Sequence, residues 1–176
     1  VAGAAFDVFE VEPATDNVLF GFENVIATPH LGASTTEAQE KVALQVADQM
    51  TNYLMNGAIT NALNMASVSA EEAPILKPYM TLGGLLGGFL GQVQAVGATK
   101  VVVELDGKAA TLNAEPVVAA TLAGLFGPVM DSVNMVNAAA VASSNGIAVS
   151  TIRHERQCDY ETLLRVTVSH KGAERT

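Results

Sequence analysis

Cysteine, tryptophan and basic residues are what this chain has least of. Cys158 is the only cysteine, which excludes an intramolecular disulfide and fits a reducing cytoplasm. The three histidines are far apart and no paired cysteines accompany them, so metal-ligand spacing is absent. Tryptophan is missing and aromatic residues make up only 5% of the chain, so its core must be built mainly from Ala, Val, Leu, Ile and Met. Nine basic residues stand against 18 acidic ones, a formal net charge of −9. That balance excludes a general nucleic-acid binder, which needs clustered Lys and Arg, but leaves room for a local anion site. A membrane span is also excluded. Tyr79 to Thr99 carries no charge, but glycines fall at 83, 84, 87, 88 and 91, and Gln92 and Gln94 follow. Its strongly apolar part, Met80 to Leu90, falls short of the roughly 20 residues a span requires, and a buried helix is expected there. No initiating Met or basic leader is seen: the chain opens Val-Ala-Gly-Ala-Ala-Phe-Asp and closes Lys-Gly-Ala-Glu-Arg-Thr, and both ends read as cuts in a longer protein.

What is present is a globular composition, 49% hydrophobic over 176 residues. Ala4 to Phe9 and Val25 to Ala27 are short apolar runs separated by Pro13, Asp16, Asn17 and Gly21, the pattern of two buried strands with a working loop between them. Ser34-Thr35-Thr36-Glu37 predicts a capping box opening a helix, with Ala38, Val42, Val46, Met50 and Leu54 on one face and Asn56-Gly57 at its end. The polar stretch Asn61 to Ala73 reads as a linker. A helix over Pro74 to Gln94 follows, whose glycines leave a smooth strip for the close approach of another backbone. Their order matches neither the dinucleotide fingerprint nor the P-loop. Next come a strand at Lys100–Leu105, a turn at Asp106-Gly107 and helices at Glu115–Phe126 and about Met135–Ser144. Strands at Ile147–Arg153 and Thr162–Ser169 complete a small mixed α/β unit.

Two segments carry candidate chemistry, Asp7-Val-Phe-Glu-Val-Glu-Pro13 and Thr28-Pro-His-Leu-Gly-Ala-Ser-Thr35. Each lies at the end of an apolar strand, where open α/β sheets place their ligand crevices. A carboxylate bonded to one ring nitrogen of a histidine fixes its tautomer, and the other nitrogen can then exchange a proton with a hydroxyl or carbonyl. Spacing alone leaves open whether Glu12 and His30 form such a pair or are a loop carboxylate and a structural histidine. A second candidate is the basic cluster Arg153, Arg156, Arg165, Lys171 and Arg175. It is either a solvated edge or an anion site. The anion reading places the site at the strand end that carries Arg153 and Arg156, and Lys171 and Arg175 would join that edge if the two last long strands pair as a hairpin.

The motif pair resembles the closing motifs of the NAD-dependent D-2-hydroxyacid dehydrogenases. That resemblance implies catalytic roles for His30 and Glu12, a place for Asp7 and His30 beside the nicotinamide, and NAD as cofactor. The phrase Val133-Asn-Met-Val-Asn-Ala138, the following Gly146-Ile147 and the Pro78-Tyr-Met80 entry resemble the intervening, effector-binding domain of the long members, which oxidise 3-phosphoglycerate. The resemblance thus implies the end of a doubly wound cofactor/substrate-domain unit (1–65), a linker (66–73) and a small mixed α/β intervening domain (74–176). It also implies a homo-oligomer acting on a phosphorylated hydroxy acid, with a small anionic effector. The family's glycine-rich NAD turn and substrate-binding arginine have no counterpart here. Two alternatives stay open: a hydroxypyruvate or glyoxylate reductase, and a non-catalytic anion-binding oligomerisation module.

Overall fold

The computed structural model describes residues 1–94, 97–154, 160–170 and 172–176, and by its internal contacts the chain divides into Val1–Thr51 and Asn52–Thr176. In the first unit, β1 (Ala4–Phe6) and β2 (Val25–Ala27) pair in parallel, Ala4 opposite Val25 and Phe6 opposite Ala27. The ladder runs on past both strands, through Thr28 N–H to Phe6 O (3.0 Å) and His30 N–H to Asp7 O (2.9 Å). The connecting loop is pinned by an Asx turn in which Asn17 accepts from the Leu19 amide (3.0 Å), and by Phe20 packed edge-on to Phe9 at 5.4 Å.

Two helices follow, α1 (Leu31–Ser34) and α2 (Thr36–Asn56). The expected capping box is displaced. Ser34 belongs to α1 and its hydroxyl turns back to Pro29 O, while Thr35 caps α2 by accepting from the Ala38 amide (3.1 Å). Glu37, one position too early for a box with Thr35, instead pairs with Lys41 at 2.7 Å. The helix ends where Asn56-Gly57 indicated, with Gly57 in the left-handed region (φ 75°) and its amide on Tyr53 O. Its apolar stripe is uncovered: Val42, Val46 and Met50 are 45–60% exposed.

In the second unit, the stretch expected as a linker is folded chain. Val68 and Ala73 are buried, and Val68 exchanges both backbone hydrogen bonds with Ile59, which lies just before the stretch and is buried too. The stretch ends in a true capping box. Ser69 Oγ accepts from the Glu72 amide (3.2 Å) and Glu72 Oε2 accepts from the Ser69 amide (3.0 Å). This box opens α3 (Ala73–Gln94). The order is then β3 (Lys100–Gly107), a 3-10 turn (Lys108–Thr111), α4 (Ala114–Phe126), α5 (Ala138–Ser144), β4 (Ala148–His154), β5 (Thr162–His170) and β6 (Ala173–Arg175). Asn113 caps α4 by accepting from the Glu115 amide. The helix predicted from Met135 begins only at Ala138, because Asn134 and Asn137 bond to each other's backbone and hold a turn before it. Asp106-Gly107, read as a turn, instead finishes β3.

The sheet order is β4-β3-β5-β6, with β3 parallel to β4 and antiparallel to β5. This overturns the expected β4–β5 hairpin. Arg153 on β4 and Arg175 on β6 stand on the two outer strands, and the direction of β5 carries its end to the far end of the sheet from Arg153. One sheet face is the core: Val101, Val103, Leu105, Leu164, Val166 and Val168 are buried with Leu76, Val117, Leu122, Leu125 and Phe126 of the helices. On the other face Glu104 lies between Arg165 (3.4 Å) and His154 (3.8 Å).

Helices α3 and α4 meet backbone to backbone along the glycine strip, as the sequence indicated. A Cβ at Gly87 would overlap the Thr121 carbonyl oxygen, one at Gly91 that of Leu125, and one at Gly124 that of Gly84. Gly88, on the same helix, has 3.9 Å of room to the nearest atom. Gly87→Ala is therefore expected to destabilise by about 1–3 kcal/mol despite alanine's better helix propensity. Gly88→Ala should gain up to about 1 kcal/mol. Denaturant unfolding of the two variants checks this, and equal responses would show that the strip is not a steric requirement.

Candidate active site

Because β1 and β2 are parallel, the residues following each strand emerge at the same edge. Asp7 follows β1, and Thr28, Pro29 and His30 follow β2. The Asp7 carboxylate gathers three donors: Thr28 Oγ1 (2.5 Å) and the Leu31 amide (2.7 Å) on Oδ1, and the Gly32 amide (2.8 Å) on Oδ2. Asp7 thereby caps α1 from across the strand pair, since His30, at the N-cap, makes no side-chain cap of its own. His30 sits in the left-handed region at φ 56°, ψ 46°. For a non-glycine residue that conformation costs about 1–3 kcal/mol and persists only where neighbours over-determine it. The backbone bond to Asp7 on one side and the carboxylate-bound amides on the other do so here.

Held this way, the His30 ring meets Glu12. Its Nδ1 lies 2.7 Å from Glu12 Oε2, and Glu12 Oε1 accepts from the Phe9 amide at 3.0 Å. With Nδ1–H donated to the carboxylate, Nε2 is the nitrogen free to take a proton from a ligand. Both carboxylates are held below their ordinary values. For Asp7 the cause is first the Thr28 hydroxyl and then the Gly32 and Leu31 amides. For Glu12 it is first the bond to the His30 ring and then the Phe9 amide. The three residues line one cleft of about 470 Å³ together with Thr28, and its other walls are apolar, Phe9, Phe20, Ala27 and Pro29 among them.

The structure thus brings together Asp7, Glu12 and His30, all three singled out from the sequence. The part played by Thr28 was missed, because a threonine at a strand end carries no signal of its own until its partner is known. Arg153 lines a separate cleft of about 430 Å³ in the second unit, with Glu115, Val136 and Ala139 among its neighbours. Arg156, Lys171 and Cys158 lie outside the described residues. Among the described residues no group of three His, Cys, Asp or Glu side chains is placed to hold a metal, and no helix is long and apolar enough to cross a membrane.

A carboxylate–histidine pair at the carboxyl edge of parallel strands is the equipment of an acid–base site in an α/β protein. Residues 1–32 match the D-isomer specific 2-hydroxyacid dehydrogenase, NAD binding domain, and residues 75–176 match the D-3-phosphoglycerate dehydrogenase intervening domain. The D-3-phosphoglycerate dehydrogenase of Bacillus subtilis is 38% identical over 170 residues, 96% of this chain and 32% of that protein. That of Archaeoglobus fulgidus is 39% identical over 177 residues, 99% of this chain and 33% of that protein. The chloroplastic D-3-phosphoglycerate dehydrogenase 3 of Arabidopsis thaliana is 37% identical over 87% of this chain. The chain belongs to the D-3-phosphoglycerate dehydrogenase family, and it spans about a third of the length of those relatives.

The depressed carboxylates set a pH dependence. A carboxylate whose folded pKa lies below its unfolded one stabilises fully above the unfolded value and loses that contribution as pH falls through the folded one. The ordinary values here are 3.8 for Asp7 and 4.5 for Glu12. The Asp7 and Glu12 hydrogen bonds are therefore expected to be intact at pH 4.5 and to open only on further acidification. Carboxyl-carbon NMR titration should give midpoints below those ordinary values. Midpoints at or above them would mean the bonds do not form in solution.

Proposed function

We propose that the full-length protein oxidises 3-phosphoglycerate to 3-phosphohydroxypyruvate with NAD as hydride acceptor, the entry step of L-serine synthesis. The observation that carries this reading is the Glu12–His30 contact at the strand-end cleft, in a chain whose remainder matches the intervening domain. The expected setting is the cytoplasm, as a homo-oligomer. When bound, NAD supplies the hydride acceptor. The cleft suits its flat ring: Phe9, Phe20, Ala27 and Pro29 offer apolar walls, and Asp7 Oδ2, which among the described residues accepts the Gly32 amide alone, has capacity left for a carboxamide N–H. His30 Nε2 takes the proton of the substrate hydroxyl as hydride leaves the same carbon, and returns it in the reverse direction. Glu12 holds the tautomer that makes Nε2 the acceptor and stabilises the imidazolium formed.

In the full-length enzyme, His30→Ala should lower kcat by about 10²–10⁴-fold. Glu12→Gln should move the acid limb of the pH–rate profile to lower pH, because a neutral amide no longer favours the protonated ring. Following reduced nicotinamide by absorbance measures both, and near-normal turnover of His30→Ala would remove the assignment.

The second unit is proposed as an effector-binding domain. With the hairpin excluded, the anion reading rests on Arg153 and the cleft it lines; the planar guanidinium suits phosphate or carboxylate. Phosphate should raise the melting temperature in a concentration-dependent way, and Arg153→Ala should abolish the shift. Identical responses from the wild-type and Arg153→Ala proteins would leave Arg153 a solvated charge.

A further inference from the structure

The acid–base scheme uses His30 and Glu12 and leaves one polar group at the centre of the site without a part, the hydroxyl of Thr28. Its hydrogen is spent on Asp7 Oδ1 at 2.5 Å, the same oxygen that accepts the Leu31 amide. Downstream of that oxygen lies a short chain of dependence. The carboxylate is the side-chain cap of α1, a helix of four residues with none buried, so core packing does not fix it in place. His30 is the N-cap of that helix and is held at a positive φ. Rotation of the Asp7 carboxylate would release the Leu31 and Gly32 amides, let His30 relax towards ordinary backbone angles, and carry the ring away from Glu12. Two donors on one oxygen and one on the other leave the carboxylate little freedom to turn. The backbone amide of Thr28 is already committed to Phe6 O in the ladder, so its Cα is fixed by β2 and its side chain is a rigid strut between the two strand ends.

We propose that Thr28 is a positioning residue for the acid–base histidine: its hydroxyl locks the Asp7 carboxylate against the amides of α1, and that lock keeps His30 in its left-handed conformation with Nδ1 on Glu12. The inference rests on the reading of His30 as the proton-transfer group. It differs from a packing role for the threonine methyl, because it assigns the effect to the hydroxyl.

The test is a set of four substitutions in the full-length enzyme, with each variant's melting temperature recorded. Thr28→Val keeps shape and β-branching and removes the donor; Thr28→Ala removes donor and methyl; Thr28→Ser keeps the donor alone. Loss of one hydrogen bond of ordinary strength corresponds to about tenfold in rate. Thr28→Val and Thr28→Ala are expected to lose about that in kcat, with KM for the hydroxy acid within about twofold. Their acid limb should move to lower pH, as in Glu12→Gln, because a ring that leaves Glu12 no longer has its protonated form favoured by the carboxylate. Thr28→Ser should restore both the rate and the pH profile. Wild-type kcat and acid limb in the two hydroxyl-free variants, or a Thr28→Ser enzyme as impaired as Thr28→Val, would overturn the proposal. His30→Ala is the fourth variant. If it turns over normally, the reading of His30 fails and the role of Thr28 fails with it. If it is inactive while Thr28→Val is unimpaired, only the role of Thr28 fails.

Discussion

The Asp7 carboxylate ties three pieces of backbone together. Through its two oxygens it joins the end of β2, the first amides of α1 and, by way of its own carbonyl, the amide of His30. None of these pieces is buried deeply enough for packing to hold it, so a charge with hydrogen-bond partners takes the place of a core. That constraint explains the left-handed His30, and the left-handed His30 explains why a ring 18 residues along the chain from Glu12 meets it at 2.7 Å. The proton chemistry proposed for Nε2 is the last link. It needs Nδ1 committed, which needs the ring in place, which needs the α1 amides held.

The second unit solves a different problem with a different device. With few aromatic side chains, it gains core density by bringing helix backbones together. Glycines 83, 87 and 91 of α3 face Thr121 and Leu125 of α4, and Gly124 of α4 faces Gly84 in return. The helices then seat Val117, Leu122, Leu125 and Phe126 on the valine and leucine face of the sheet. Each glycine in a helix interior costs about 0.8–1 kcal/mol relative to alanine. Here that cost accompanies a close backbone contact that a larger residue would prevent. The opposite sheet face, carrying Glu104, Arg165 and His154, is polar and has no such packing.

The Glu12–His30 contact was legible only through the resemblance of the motif pair, since spacing alone left it open, whereas the glycine strip was legible directly, because the lack of a side chain is itself the signal. The features that were not legible depend on competition between near-equivalent choices. Ser34-Thr-Thr-Glu37 and Ser69-Ala-Glu-Glu72 are both capping-box sequences, and only the second is used as one. At the first, the Asp7 carboxylate claims the Leu31 and Gly32 amides, starts a helix four residues earlier and draws Ser34 into it. The polar stretch from Asn61 reads as linker by composition, yet Val68 and Ala73 within it reach the core. Strand order was the largest miss. Alternating Leu164, Val166 and Val168 fixed which face of β5 is buried but not which strand is its neighbour, and β3, not β4, took that place. The separation of Arg153 from Arg175 follows from that order alone.

The central claim is that Glu12 holds the His30 imidazole with its proton on Nδ1, leaving Nε2 to accept. Nitrogen-15 NMR of the ring in its neutral form reports the tautomer directly, because the protonated and unprotonated nitrogens have well-separated shifts. The account predicts a protonated Nδ1 and an unprotonated Nε2 in the wild-type protein, with that preference lost in Glu12→Gln. A neutral ring protonated on Nε2 in the wild type, or a tautomer indifferent to Glu12→Gln, would contradict it.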